Sequence, residues 1–467
     1  MSGDGKEVAS SIARRFLDLD PEAWHGVRAQ MEKESLELGV TYQPEGKPVE
    51  VTDLVMVPVV FDGADLAAIR DVVEVLSKIM ARAPGWRMES EAVRETLPLS
   101  AGEEEWMRDC ALSPRWQDHA IVGRWDLNVD QTGPNGPRIL LFEGNGNAVG
   151  GINYTPAAEI VVHNAVKRVF AETGGRLPPV RRTGDIHEAF FRMLNDHARR
   201  LGRTLKTFVI LEDRTWTAGI TEAPYIVNAV RKRGVFAKLS DPRELRVWRG
   251  EVCLGNRPVD VLYRNIEIRD LLDIEAADGR IEALRLAFRR NQVISSLAGE
   301  FDHKSLLETM TLPEVERGLS SEWREVVRTV VPWTRLMREV KTADPAGRQV
   351  DLPSYVRRHK DALVLKPNRE CGGDGVTIGT YRDQSAWERA VHRAIRHKSE
   401  WVVQQAIKPA EIPVPAKWRG KIRLGARYTN AGVITIPGGP YVLGRSSAMP
   451  VVNVSRGGGI VAVLRTA

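Results

Sequence analysis

Cysteine, long apolar runs and segregated charge are all scarce in this sequence, and each shortage removes a class of protein. Only three cysteines occur in 467 residues, Cys110, Cys253 and Cys371, each isolated from the others. A disulfide framework and a Cys-X-X-Cys metal or redox site are thereby excluded, and packing is the expectation for Cys110 and Cys253. No apolar stretch approaches the roughly 18 to 20 residues of a membrane-spanning helix. The opening MSGDGKEVASS has no apolar signal-peptide segment either. A soluble, cytoplasmic protein with no membrane partner is expected. The 67 Lys and Arg against 61 Asp and Glu give a net charge of +6, but the two signs are interspersed and form no basic tail. Anionic small substrates account for that excess as well as nucleic acid does, so no nucleic-acid partner is expected. The sequence also lacks a G-x-x-x-x-G-K-[ST] phosphate loop, a His-Glu-x-x-His helix, a Ser-His-Asp arrangement and any repeat of 20 to 50 residues.

What is present is an ordinary globular composition, 43% hydrophobic and 27% charged, enough for a large core and for two or three domains. Residues 1–115 read as mainly helical; Ile69, Val72, Val75, Leu76 and Ile79 recur at helical spacing. From Ala120 the period becomes two, with Trp125, Leu127 and Val129 on one face and Arg124, Asp126 and Asn128 on the other. A turn signal from Thr132 to Pro137 and a second apolar run from Ile139 to Glu143 complete a hairpin. A helix is expected from Tyr154 to Phe170, started near Asn153, followed by a linker at Gly174, Gly175, Pro178 and Pro179. Strands at Thr207–Leu211, Val235–Leu239 and Val259–Tyr263, with a helix at Ala223–Arg233, predict a small parallel sheet within 181–295. A helical stretch is expected over about 281–338. Beyond it, strands at 362–365 and 376–378 flank a glycine loop, and Trp401–Gln405 forms one more strand. The class is α/β (α+β).

Three places carry chemistry. In the hairpin, antiparallel pairing delivers Asp126, Glu143 and Asn145 to one pocket, an all-oxygen set suited to Mg²⁺; an exposed polar face is the alternative. Arg124 on the same face suits phosphate oxygens. In the second place, Lys366 ends a buried strand and is followed by Gly372, Gly373 and Gly375, the way an ammonium and backbone N–H groups hold a di- or triphosphate. A simple turn is the alternative there. The third is Trp401–Gln405 and the residues to Ile407, whose backbone could meet an adenine edge, with Gln404 or Gln405 near the base or ribose. Gly144 to Gly150 loosely matches a dinucleotide fingerprint, but the strands before it form a hairpin and not a βαβ unit. His303 reads as structural or solvated.

Together these residues resemble the circularly permuted ATP-grasp ligases, the branch that includes glutathionylspermidine synthetase-like proteins. The matching stretches are Gly123–Asp126 with Leu141–Asn145, Val364–Asn368 with Gly372–Val376, and Trp401–Gln405. The acidic residues precede the lysine and glycine loop, the order of the permuted branch. The resemblance runs from about residue 116 to the C-terminus. It implies an ATP-grasp fold divided into a metal-binding part at 116–180, a small α/β substrate domain at 181–295 and a nucleotide-binding part at 296–467. It implies Mg²⁺ on Asp126, Glu143 and Asn145; ATP phosphates on Lys366, Lys304 and Gly372, Gly373 and Gly375; and an adenine hinge at Gln404, Gln405 and Ile407. Arg445, chosen over Arg456, would face the transferring phosphate, with Arg124 beside it. The implied activity joins a carboxylate to an amine through an acyl phosphate, releasing ADP and phosphate, on small-molecule substrates such as amino acids or small peptides. Arg264, just after a strand, is a candidate for a substrate carboxylate. A homodimer is a class expectation. A non-catalytic ATP-binding scaffold and a nicotinamide-dependent oxidoreductase are the other readings.

Overall fold

A computed structural model describes residues 5–110, 115–132, 136–215, 218–370, 372–397, 400–452 and 458–467. The expected hairpin forms between strands Arg124–Asp130 and Arg138–Asn145. Its polar turn includes residues 133–135, which lie outside the described residues. The hairpin forms one end of an eight-stranded sheet, with Arg138–Asn145 as its edge strand. Lys421–Ile434 pairs with the first hairpin strand, then Tyr441–Ser447, Gly459–Thr466 and finally Val59–Phe61 follow in order; Ala410–Trp418 and Val180–Arg182 pair off this path. All these pairings are antiparallel except that of Val59–Phe61 with Gly459–Thr466.

One face of this sheet is covered by the helix Tyr154–Thr173, whose Val161, Val162, Val166 and Val169 are fully buried. At about 1.5 kcal/mol or more per buried side chain, that stripe is the main reason the helix stays on the sheet. The N-terminal region is mainly helical, as expected, with Pro21–Leu38 and Gly63–Glu89 as its longest helices. Asp62 starts the longer one through a capping box with Asp65. Buried side chains of both helices belong to the same core as the large sheet.

A second, antiparallel sheet carries the glycine loop. Its order is Thr334–Leu336, Trp401–Gln405, Leu363–Pro367, Thr377–Ile378. The third sheet is parallel throughout, in the order Val293–Ile294, Val261–Arg264, Thr207–Leu211, Phe236–Ser240. The small parallel sheet is therefore as the strand and helix alternation predicts. The helical stretch expected over 281–338 is not continuous. It breaks into Glu282–Arg289, Leu306–Thr309, Pro313–Arg317 and Ser321–Val330, and ends in the strand Thr334–Leu336. Pro313 at a helix start and Ser320 as an N-cap mark two of those breaks. Among the described residues no helix is long and apolar enough to cross a membrane. Cys110 and Cys253 are buried and unbridged; Cys371 lies outside the described residues.

Candidate functional site

The hairpin register places Asp126 directly opposite Glu143 and Arg124 opposite Asn145. A shift next to Asp126 sets Leu127 against Leu141, so Phe142 is an extra residue on its strand. This bulge lets Leu141 enter the core while Glu143, two residues on, meets Asp126. Asp126 is 1% exposed. Arg124 Nε donates to its Oδ1 at 2.8 Å and Nη2 to its Oδ2 at 3.3 Å. Arg445, on the strand Tyr441–Ser447, pairs with the same Oδ2, and Asn145 Nδ2 donates to it at 3.3 Å. Burial alone would raise the Asp126 carboxyl, but the two guanidinium groups outweigh it and hold it below the usual carboxylate range.

Gly432 makes this packing sterically feasible. It lies opposite Asp126 on the neighbouring strand, and a Cβ there would stand 2.9 Å from Arg124 Cδ and 3.2 Å from Asp126 Oδ1. Gly432→Ala is expected to cost about 1–3 kcal/mol through overpacking, read from a denaturant titration; an unchanged midpoint would show that the ion pair has room to shift.

On the facing sheet, Lys366 is 8% exposed and its Nζ donates to the Phe142 carbonyl at 3.1 Å. Gln404 Nε2 reaches the same carbonyl at 3.4 Å and Thr334 Oγ1 at 3.3 Å. Burial pulls the Lys366 ammonium down to about 8, with Glu143 opposing and Lys304 reinforcing the shift. Lys304 is also buried. Its Nζ donates to the Glu370 carbonyl at 2.7 Å and lies 3.5 Å from Glu143 Oε2. Gly372, Gly373 and Gly375 all take positive φ, 77°, 71° and 72°, a conformation in which a side chain would be strained.

These groups line a cavity of about 110 Å³ between the two sheets. From the hairpin and the large sheet come Asp126, Glu143 and Arg445; from the glycine-loop sheet come Lys366, Gly373, Gln404 and, just beyond it, Ile407. Arg124 and Asn145 stand behind Asp126, Lys304 stands beyond Glu143, and Gly372 and Gly375 belong to the same loop. Gln405 does not share the face of Gln404. As period two dictates, it lies across the strand, and it lines a larger adjoining groove of about 1250 Å³. The N–H groups of Gln405 and Ala406 are already bonded to the carbonyls of Trp333 and Ala362. Arg456 lies outside the described residues; among the described residues Arg445 is the arginine on the cavity.

One cavity residue escaped the sequence reading. Asn430 sits opposite Arg445 in the sheet, is 8% exposed, and its Oδ1 has no hydrogen-bond partner among the described residues. Its signal was an amide inside an otherwise apolar strand end, Asn430-Ala431-Gly432-Val433-Ile434. All the donors here are oxygens, and no group of three or more His, Cys, Asp or Glu side chains able to hold a metal occurs among the described residues. Of the three expected Mg²⁺ ligands, Asp126 is engaged by Arg124 and Arg445, which leaves Glu143 on the cavity and Asn145 behind Asp126 as oxygen donors of the kind that ion takes, one or two protein carboxylates with phosphate and water filling its shell.

Two other candidates resolve differently. Arg264 is fully buried and spends its guanidinium on the carbonyls of Ser295, Ile266 and Ser296 at 2.6, 2.9 and 3.2 Å and on Glu300 at 2.5 Å. It holds the small parallel sheet to the following segment and is not placed to meet a substrate carboxylate. The fingerprint-like Gly144–Gly150 loop leads to a helix start whose N–H groups are already taken. Glu222 accepts from Gly151, Asn153 and Tyr154 at 2.9, 2.8 and 3.1 Å, where a dinucleotide's pyrophosphate would have to sit. This geometry removes Gly144–Gly150 as a dinucleotide site, the feature that suggested an oxidoreductase. His303 is buried, with burial pulling its imidazole down to about 3, so it stays neutral.

No family model and no curated protein matches the sequence. Among solved structures, the chain matches a glutathione synthetase-like effector from Globodera pallida at TM-score 0.65 and 11% identity, over 95% of this chain and 97% of that one. A RimK-domain ATP-grasp protein from Sphaerobacter thermophilus matches at TM-score 0.26 and 17% identity, over 50% of this chain and 89% of that one. D-alanyl-alanine synthetase A from Vibrio cholerae matches at TM-score 0.26 and 11% identity, over 48% and 66%. The nearly full-length match shows the fold alone, a mixed α/β architecture shared with that glutathione synthetase-like effector.

Proposed function

We propose, from this fold and its inter-sheet cavity, that the chain is an ATP-dependent ligase that joins a carboxylate to an amine, with amino acids or small peptides as the substrate class. The observation that carries the reading is convergence. Lysine, acid, amide, arginine and glycine-loop groups from five separated stretches of chain face one cavity between two sheets. Their order, acid before lysine and loop, supports a circularly permuted ATP-grasp arrangement.

The chemistry follows from the groups present. A carboxylate is a poor acyl donor because its leaving group would be oxide. Attack of its oxygen on the γ-phosphorus of ATP, with ADP leaving, gives an acyl phosphate. The amine nitrogen then bonds to the acyl carbon, phosphate departs, and the amine loses a proton. Lys366 and Arg445 place positive charge against the transferring phosphoryl group, where it is worth most in a dehydrated site. Asp126 holds Arg445 and Arg124 in place. Glu143 and Asn145 would hold Mg²⁺, which supplies charge neutralisation at the β- and γ-oxygens. The Ile407 N–H is the hinge donor for adenine, because those of Gln405 and Ala406 are committed. A cavity of 110 Å³ is smaller than the roughly 300 Å³ at which ligand pockets begin. A nucleotide seated there would extend into the adjoining groove, which Ala406 and Ile407 also line, and closure of the glycine loop over it would shield the acyl phosphate from water.

The test is ADP release with Mg–ATP against pooled amino acids, small peptides and polyamines, run beside Lys366→Ala and Glu143→Ala. Release that needs one carboxylate and amine pair and is lost in both variants supports the ligase; tight ATP binding with no release from any pool would favour a scaffold. Glu143→Gln separately is expected to weaken Mg²⁺-dependent nucleotide binding on the order of tenfold, while metal-free binding changes little. Calorimetry with and without chelator reads this, and equal losses in both conditions would contradict a metal role for Glu143.

A further inference from the structure

The loop that would hold the phosphates is intrinsically loose, since three of its residues are glycines at positive φ. Its geometry must come from its ends. At its base, the Asn368 carbonyl and side chain accept from the backbone of Lys304 and Ser305, at 3.0 and 2.9 Å. The next residue, Arg369, reaches away from the cavity into the N-terminal region. Its Nη1 and Nη2 donate to both oxygens of Glu103, at 3.0 and 2.5 Å. Glu103 is 3% exposed, and the partners are 266 residues apart. A two-point, buried guanidinium–carboxylate pair fixes direction as well as distance.

The carboxylate side of this contact is itself rigid. Glu103 lies in the helix Ala101–Asp109, closes its capping box with Ser100 at 2.7 Å, and is followed by Glu104, which pairs with Arg87 of the helix Gly63–Glu89. Trp106 of the same helix is fully buried against Phe288, with the Arg285 guanidinium over its ring at 4.2 Å. The helix is thus anchored without help from Arg369. The pair therefore does more for the loop than for the helix.

We infer that Glu103 is a positioning residue for the glycine-rich loop, holding the loop's base through Arg369 and so setting nucleotide affinity from the N-terminal region. The affinity part rests on the nucleotide reading above; the loop part does not. Burial would raise the Glu103 carboxyl, but Arg369 and Ser100 outweigh it and hold it at about 2, so the contact persists across the neutral pH range.

The test uses full-length protein in three forms, wild type, Glu103→Gln and the double variant Glu103→Met with Arg369→Met. The double variant removes both charges at once, so neither is left buried and unpaired, and the fold is retained. Hydrogen exchange without ligand is expected to rise several-fold in residues 372–378 and to stay unchanged in the helix Gln384–Arg396. A general loss of stability would raise both. Affinity for a non-hydrolysable ATP analogue with Mg²⁺ is expected to fall about tenfold in both variants, the size of effect seen when a supporting contact behind a binding group is removed. Unchanged exchange at 372–378 would overturn the brace, and so would full affinity in the double variant when the wild type binds. Failure of the wild type itself to bind the analogue would overturn the nucleotide reading and leave the exchange result to decide the brace alone.

Discussion

Lys366→Met should lower ATP-dependent turnover by about 10²- to 10³-fold while leaving the fold intact. The ammonium is buried, held on the Phe142 carbonyl, and shares its cavity with the two hairpin carboxylates and Arg445. Removing one preorganised charge that faces developing negative charge in a dry site costs on this scale. Stability should not follow, because methionine fills similar volume and no longer has to be desolvated as a cation. The same burial predicts a pH signature. With the ammonium pulled down to about 8 in the free protein, nucleotide binding has to bring a proton once the pH exceeds 8. Affinity should therefore fall from about pH 8 upward, and the fall should vanish in Lys366→Met. Calorimetry in buffers of different ionisation heat would read the proton uptake directly. Turnover in Lys366→Met within a few-fold of wild type would remove Lys366 from the phosphate site.

Asp126→Ala is expected to destabilise the protein by about 3–5 kcal/mol, the usual result of removing one partner of a buried ionic cluster. Here the loss leaves two guanidinium groups, Arg124 and Arg445, facing one another without their shared carboxylate. Asp126→Asn should cost nearly as much, because the amide keeps the volume but not the charge. The pH dependence has a definite sign. The folded carboxyl ionises below its unfolded value of about 3.9, so its stabilisation is fully present above that value and is lost as pH falls through the folded one. Chemical denaturation should show the gap between wild type and Asp126→Asn at its full width at pH 7 and narrowing below pH 4. A gap under 1 kcal/mol at pH 7 would mean that Asp126 is not the anchor of the arginines and is free to act chiefly on metal. The result also bears on the reaction, because Arg445 can face a phosphate only if something holds it there.

Much of this protein was already legible along the chain. The alternation from Arg124 to Val129 and the apolar run from Ile139 to Glu143 specified the hairpin and the face that carries its acids, and Trp401–Gln405 is a strand with the same bounds in sequence and structure. Lys366 before a run of glycines pointed to the second half of the candidate site, and alternating strands and helices located the small parallel sheet. These signals are local: side-chain period, turn chemistry and glycine placement act over a few residues, so sequence carries them fully. The bulge at Phe142, the cavity position of Asn430, the burial of Arg264 among backbone carbonyls, the filling of a helix start by Glu222 and the reach of Arg369 to Glu103 are of another kind. Each depends on which distant segment arrives alongside, and for a charged side chain that arrival decides whether it meets solvent, substrate or a fixed partner. Residue type and spacing thus determined which groups were available for chemistry; tertiary packing alone decided which of them share a cavity and which are committed to holding it in shape.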